Sequence, residues 1–197
     1  MNLTRIADRE SAELQHVADA LTLLPYLRPG PLSLADVGSG SGVPGIPLAV
    51  ARPDVQVLLI ESTQKKAAFL KETAEALGLS NVNVFTGRAE DAGRDGELRE
   101  TFDVAVARAV GTMNWLAEWC LPLVKRGGVM LAMKGPKVAE ELPLAEHVIR
   151  LLGGDPPTVR PADLPGAGQH VIVSVSKSGR TRAIYPRAST ATGGKPL

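Results

Sequence analysis

The chain of 197 residues carries 22 Lys and Arg against 21 Asp and Glu, a net charge of +1, and is 44% hydrophobic. That length suits one domain with short appendages and excludes two large ones, at roughly 100 to 200 residues per domain. The lone Cys120 excludes an internal disulfide, and Asp8, Arg9, Glu10 and Glu13 break up any apolar signal core.

Residues 1–27 read as one or two helices, the start of an N-terminal helical segment over 1–30. From there short apolar runs alternate with longer amphipathic stretches, the pattern of strands that cross over through helices into a parallel sheet. The strands are expected at LSLADV, VQVLLI, VNVFT, FDVAVA and GVMLAMK, and the helices at PGIPLAVAR, TQKKAAFLKETAEALG, TMNWLAEWCLPLV and PKVAEELPLAEHVIRLLG. In the second helix Ala67, Leu70, Ala74 and Leu77 share one face and Gly78 stands just past the end. The segment GGDPPTVRPADLPGAG is too rich in Pro and Gly for regular structure, and QHVIVSVSK returns as a last strand. The apolar runs fall far short of the ~20 residues of a membrane-spanning helix, so a cytoplasmic protein with no membrane contact is expected.

The expected main domain covers 31–178, followed by a basic, partly flexible tail over 179–197. No Asp or Glu occurs from Leu164 onward, whereas Lys177, Arg180, Arg182, Arg187 and Lys195 do. Such a stretch either follows a phosphate backbone or is a solvated end.

The stretch LADVGSGSGVPGIPLA, residues 34–49, runs from a buried strand through Gly38, Gly40 and Gly42 into a helix. A turn of this kind brings backbone close to a ligand at the carboxyl edge of an open sheet. Gly40, Gly42 and Gly45 also satisfy the dinucleotide signature. Against that ligand, Pro44 and Pro47 remove two donors where a diphosphate needs free N–H groups. S-adenosylmethionine has no phosphate and makes no such demand.

Glu61 ends the second strand, 23 residues after Gly38, where a carboxylate can accept from both ribose hydroxyls of either cofactor. After the third strand, Ala89 offers an apolar bed for adenine, and Glu90 or Asp91 either meets its amino group or caps the next helix. Arg108 and Lys134 end the fourth and fifth strands, and two cations at one edge imply an anionic substrate. His16, His147 and His170 are scattered in sequence, so no metal is expected.

Taken together, DVGSGSGVPGIPLA, GRAED, FDVAVARAV, MKGP and the terminal YPR and KPL resemble the bacterial small-subunit ribosomal RNA methyltransferase G family, also called glucose-inhibited division protein B. The resemblance extends from Asn2 to Leu197. It implies the class I S-adenosylmethionine-dependent methyltransferase fold, α/β and Rossmann-like, with a mostly parallel sheet covered by helices on both faces. It also implies methyl transfer from S-adenosyl-L-methionine, leaving S-adenosyl-L-homocysteine, to ring nitrogen seven of a guanine in 16S rRNA near the decoding centre.

By the family pattern the cofactor contacts fall on Gly38, Val43, Glu61, Ser62, Thr63, Ala89, Glu90 and Arg108, and Asp36 and Gly40 of the same glycine block complete the candidate set. Arg108 and Lys134 are the expected substrate-positioning residues, with Lys134, Tyr185 and Arg187 toward the RNA that the resemblance implies, Tyr185 and Arg187 by stacking on it or clamping it, or with Tyr185 packed back on the domain. The partner is 16S rRNA or the small ribosomal subunit, including an assembly intermediate, and the protein is expected to be a monomer. Family members carry further helix before the NLT with which this sequence opens. Ala20 and Ala188 stand where the family has a serine and a second arginine.

Because the guanine nitrogen has an in-plane lone pair and no proton, the reaction needs no general base, and none is expected. Two other readings stay open: a nicotinamide-dinucleotide oxidoreductase, and a non-catalytic module that keeps the fold to bind RNA.

Overall fold

The computed structural model describes residues 13–162, 164 and 170–197. The part of the expected N-terminal helix before residue 13, and residues 163 and 165–169, lie outside it. Among the described residues seven strands form one sheet: β1 (Leu32–Val37), β2 (Val55–Glu61), β3 (Val82–Thr86), β4 (Phe102–Arg108), β5 (Val124–Lys134), β6 (Thr158–Pro161) and β7 (Val171–Ser176). Their order is β3-β2-β1-β4-β5-β7-β6. The first five pair in parallel, while β7 runs antiparallel to both β5 and β6.

A π-helical stretch over Glu13–Ala18 runs into α1 (Asp19–Leu21), followed by α2 (Gly45–Ala51), α3 (Gln64–Ala76), α4 (Ala89–Arg94), α5 (Met113–Cys120) and α6 (Val138–Leu151). The strands read as nearly continuous apolar runs because both faces of the sheet are covered. Period-two alternation divides them between two cores. Ala35, Val37, Ala105 and Ala107 pack with Met113, Leu116 and Cys120 of α5 and with Ala145, Val148 and Ile149 of α6. Leu34, Val57, Leu59, Val104 and Val106 pack with Leu48 of α2, Leu70 of α3 and Leu23. The small alanines on the first face let α5 and α6 lie close to the sheet.

The architecture is the α/β one expected, with local differences, among them a fifth strand that starts at Val124, inside the stretch expected as the helix TMNWLAEWCLPLV. Thr158–Pro161 forms an edge strand on β7 where irregular structure was expected. Its Pro161 sits at the strand end, where a missing ladder donor is tolerated. Leu77, placed by periodicity on the buried face of α3, is 54% exposed, because the helix ends at Ala76. The segment after β7 is docked on the domain: Arg99 donates to the carbonyls of Thr181, Arg182 and Tyr185 at 2.8, 3.1 and 2.7 Å.

Candidate active site

The strand order reverses beside β1, and the crevice beyond the carboxyl ends of β1 and β4 is where an open α/β sheet binds its ligand. A cavity of about 520 Å³ lies there, within the usual range for a small-molecule site. Gly38, Gly40 and Val43 of the turn after β1 line it. Gly38 has φ +72, and a Cβ on it would stand 2.7 Å from Val110 Cγ1, so only glycine lets the turn pass beneath the loop after β4.

The start of α2 decides between the two cofactors. Gly45 donates its N–H to Asp36 Oδ2 at 2.9 Å, Ile46 donates to the Gly42 carbonyl at 2.7 Å, Leu48 donates to the Pro44 carbonyl, and Pro47 has no donor. The first-turn N–H groups that would cradle a diphosphate are therefore spent inside the protein, and a carboxylate sits among them.

That carboxylate corrects an expectation. Asp36 is 1% exposed and does not line the cavity. On β1 it alternates with Ala35 and Val37 and so points to the opposite face, toward α2. Burial is the main cause that raises its pKa to about 7, against the lowering effects of the Gly45 N–H, Ser39 and Arg108.

Glu61 is buried at the cavity wall and is held by both oxygens: Gly40 N–H donates to Oε2 at 3.0 Å and Thr63 N–H to Oε1 at 2.7 Å. Each oxygen keeps a further lone pair for a ribose hydroxyl. Ser62 and Thr63 continue the rim, and Ala89 with Glu90 forms the next wall. Helix α4 has no side-chain cap, and Glu90 is buried and lines the cavity. His16, Ser39, Lys66, Arg88, Val110 and Trp119 also line it.

Arg108 lines this cavity and a second one of about 240 Å³, shared with Ala109 and completed by Asp19, Met133, Lys134, Gly135 and His170. Asp19, 1% exposed, lies 3.5 Å from Arg108 Nε and 3.2 Å from His170 Nδ1, and Arg108 Nη2 is 3.4 Å from His16 Nδ1. Two histidines scattered in sequence thus meet one ion pair, His170 at its acid and His16 at its guanidinium. Among the described residues no group of three or more His, Cys, Asp or Glu side chains is arranged to hold a metal ion.

Lys134 is bound internally. Its Nζ lies 2.8 Å from Glu141 Oε2 and donates to the Gly111 carbonyl at 2.9 Å, while the same Glu141 oxygen accepts the Met113 N–H. Two strand-end cations therefore do not make this edge strongly positive, because Glu141 and Asp19 offset them. The tail residues are paired in the same way. Arg187 forms a two-point ion pair with the fully buried Glu118, and Tyr185 packs against the core of α5 and α6. Lys177 is buried against Glu100 and two carbonyls, whereas Arg180, Arg182 and Lys195 are exposed.

The fold is shared with solved methyltransferases. A predicted O-methyltransferase from Agrobacterium tumefaciens superposes with a TM-score of 0.65 at 19% identity, covering 85% of this chain and 83% of that one. TYW2 of M. jannaschii, in complex with AdoMet, gives 0.64 at 19% identity over 91% of this chain and 81% of that one.

In sequence, the family described as rRNA small subunit methyltransferase G matches residues 1–164. Ribosomal RNA small subunit methyltransferase G of Roseiflexus sp. (strain RS-1) is 43% identical over 197 residues, all of this chain and 84% of the relative. The same-named protein of Moorella thermoacetica (strain ATCC 39073 / JCM 9320) is 43% identical over 200 residues, all of this chain and 83% of the relative. The chain therefore belongs to the rRNA small subunit methyltransferase G family: it is a small-subunit rRNA methyltransferase on the class I S-adenosylmethionine-dependent fold.

Proposed function

We propose that this chain transfers the methyl group of S-adenosylmethionine to ring nitrogen seven of a guanine in 16S rRNA near the decoding centre. The observation that carries this reading is the contact of the two cavities. The larger, walled by Glu61 and Ala89 and without diphosphate donors, meets the smaller across Arg108 and Ala109, which line both. The protein is proposed to act as a cytoplasmic monomer on the rRNA or on a small subunit still in assembly. Among the described residues no helix is long and apolar enough to cross a membrane.

The residues present fit the cofactor. Gly38, Gly40 and Val43 would admit its methionine part, Glu61 would accept from the ribose hydroxyls, and Ala89 with Glu90 would meet the adenine. When bound, S-adenosylmethionine supplies an electrophilic methyl on a sulfonium. The chain supplies position, since alignment of two bound reactants can provide roughly 7 to 11 kcal/mol of the barrier. No side chain has to take a proton from the guanine nitrogen. Arg108 reaches the smaller cavity beside Asp19, so a ring that gains positive charge does not face an uncompensated cation. Lys134 and Glu141 hold the segment from Gly111 to Met113, which follows closely on Arg108 and Ala109, the residues that line both spaces.

The test is to incubate undermethylated small-subunit rRNA, and particles containing it, with the protein and methyl-labelled cofactor, and then to cleave at N7-methylguanine. Label at one guanine supports the reading. Tight S-adenosylhomocysteine binding without incorporation into either substrate would instead indicate a binding module, and a calorimetric titration that detects only a nicotinamide dinucleotide would indicate an oxidoreductase.

A further inference from the structure

Trp119 of α5 forms one wall of the larger cavity, and its buried Nε1–H has no hydrogen-bond partner among the described residues. Its orientation is therefore set by packing. Trp119 stacks on Trp115, ring centroids 5.1 Å apart and planes 20° from parallel, and the Arg187 guanidinium lies over the Trp115 ring, 5.9 Å from its centroid. Gly111 fits against both tryptophans: a Cβ there would stand 3.3 Å from Trp115 Cβ and from Trp119 Cζ3. The stack thus also shapes the loop whose Val110 closes over Gly38.

Arg187 is held in place with unusual completeness. Its Nε and backbone N–H donate to Glu118 Oε1 at 2.8 and 2.9 Å, and its Nη2 donates to Oε2 at 2.6 Å. Glu118 is fully buried and adjoins Trp119 in sequence. A buried ion pair is a poor way to gain stability, since apolar residues of similar volume do as well. Its value lies in fixing one geometry. On either side of it the chain is strapped to the domain, by Arg94 Nη1 donating to the Pro186 carbonyl at 3.0 Å and by Asn114 Nδ2 donating to Leu197 O at 2.9 Å beside the functional edge.

We propose that residues 181–197 form a strap whose Arg187, through Glu118 and the Trp115–Trp119 stack, positions the indole wall of the cofactor cavity. Arg187 is a positioning residue that touches neither reactant, and its role rests on the reading of that cavity as the S-adenosylmethionine site. The tail's basic residue is then part of cofactor binding, in place of the RNA contact that its charge suggested.

The experiment is calorimetric titration of S-adenosylhomocysteine into the whole chain and its Arg187→Ala and Arg187→Lys variants, with tryptophan emission recorded in parallel. Both tryptophans of the chain lie in the stack, so emission reports on it directly. Arg187→Ala is expected to weaken binding about tenfold, the scale of coupling between residues in one contact network, and to shift the emission. Arg187→Lys should recover only part of the affinity, because an ammonium cannot reproduce the two-point fork. At saturating cofactor, turnover should be nearly unchanged while KM for the cofactor rises, a split that general loss of structure would not produce. Unchanged affinity in a folded Arg187→Ala variant would overturn the proposal. Should that variant fail to fold, Trp115→Leu breaks the same link with the strap intact, and unchanged affinity there overturns the proposal equally. Failure of the unmodified chain to bind S-adenosylhomocysteine would strike the reading of the cavity itself.

Discussion

Gly40 donates its backbone N–H to Glu61 Oε2 at 3.0 Å, so the turn that admits the cofactor also aims the carboxylate proposed to hold its ribose. With Thr63 N–H on the other oxygen, that side chain is fixed before any ligand arrives. Glu61→Gln turns an amide NH₂ toward one of these N–H groups and removes an acceptor from the ribose. A charge-assisted bond is worth roughly 1.5 to 3 kcal/mol, so S-adenosylhomocysteine should bind on the order of 10 to 100 times more weakly. Calorimetry checks this, and affinity within a factor of two of the unmodified chain would remove Glu61 from the site.

Gly38 and Val110 should behave as a coupled pair. Gly38→Ala places a methyl 2.7 Å from Val110 Cγ1 and asks a residue with a side chain to hold φ +72. The backbone part alone costs roughly 1 to 2 kcal/mol. Shortening the neighbour in Gly38→Ala/Val110→Ala relieves the clash but leaves the backbone cost. The double variant should thus melt above Gly38→Ala and below Val110→Ala. Full recovery would show that the left-handed turn is not required.

Much of this site can be read from residue order, and the unreadable part has a definite physical origin. Buried parallel strands announce themselves as apolar runs, so Gly38, Glu61, Arg108 and Lys134 could be placed at strand ends, which is where they stand. Asp36 was also within reach, because alternation along β1 already separates it from Ala35 and Val37. Trp119 was not: with Met113, Leu116 and Cys120 on the same short helix it reads as core, and only packing past Gly111 exposes its ring to the cavity. Nor was the meeting of Asp19 with His170, 151 residues apart, since it depends on β7 returning antiparallel beside β5. Cations were the least legible of all. Charge is visible in sequence but its compensation is not, as Lys134 with Glu141 and Arg187 with Glu118 show.

Asp36 makes stability depend on pH in a direction opposite to most carboxylates. Its folded pKa is raised, chiefly by burial, from 3.8 to about 7, so between those values the folded chain holds a proton that the unfolded chain releases. Below about pH 4 both states are protonated and the contribution is fully present. As pH rises the unfolded state is favoured by about 1.4 kcal/mol per unit until the folded group also ionises near pH 7, a loss on the order of 4 kcal/mol. Asp36→Asn keeps an acceptor for the Gly45 N–H and has no charge to bury. Urea denaturation at several pH values should show the difference between variant and parent growing from pH 4 to pH 7 in favour of the variant and then levelling. A constant difference would mean that Asp36 ionises normally.

Arg108 carries two roles that a single substitution confounds. Its Nε lies 3.5 Å from Asp19, a carboxylate only 1% exposed, so Arg108→Ala leaves that charge buried with His170 as its partner. Removing one member of a buried pair costs roughly 3 to 5 kcal/mol, which by itself would lower activity by lowering the folded fraction. Truncating the acid as well, in Arg108→Ala/Asp19→Ala, removes the stranded charge and should recover most of the stability, as urea midpoints would show. If Arg108 serves only the fold, rRNA methylation per folded molecule should return with it. Because Arg108 lines both cavities where they meet, we expect methylation of the stable double variant to remain at least about 100-fold below the parent, a loss comparable to removing one charge-assisted bond of about 2.7 kcal/mol or more. Methylation near the parental rate in that variant would assign Arg108 to the ion pair alone.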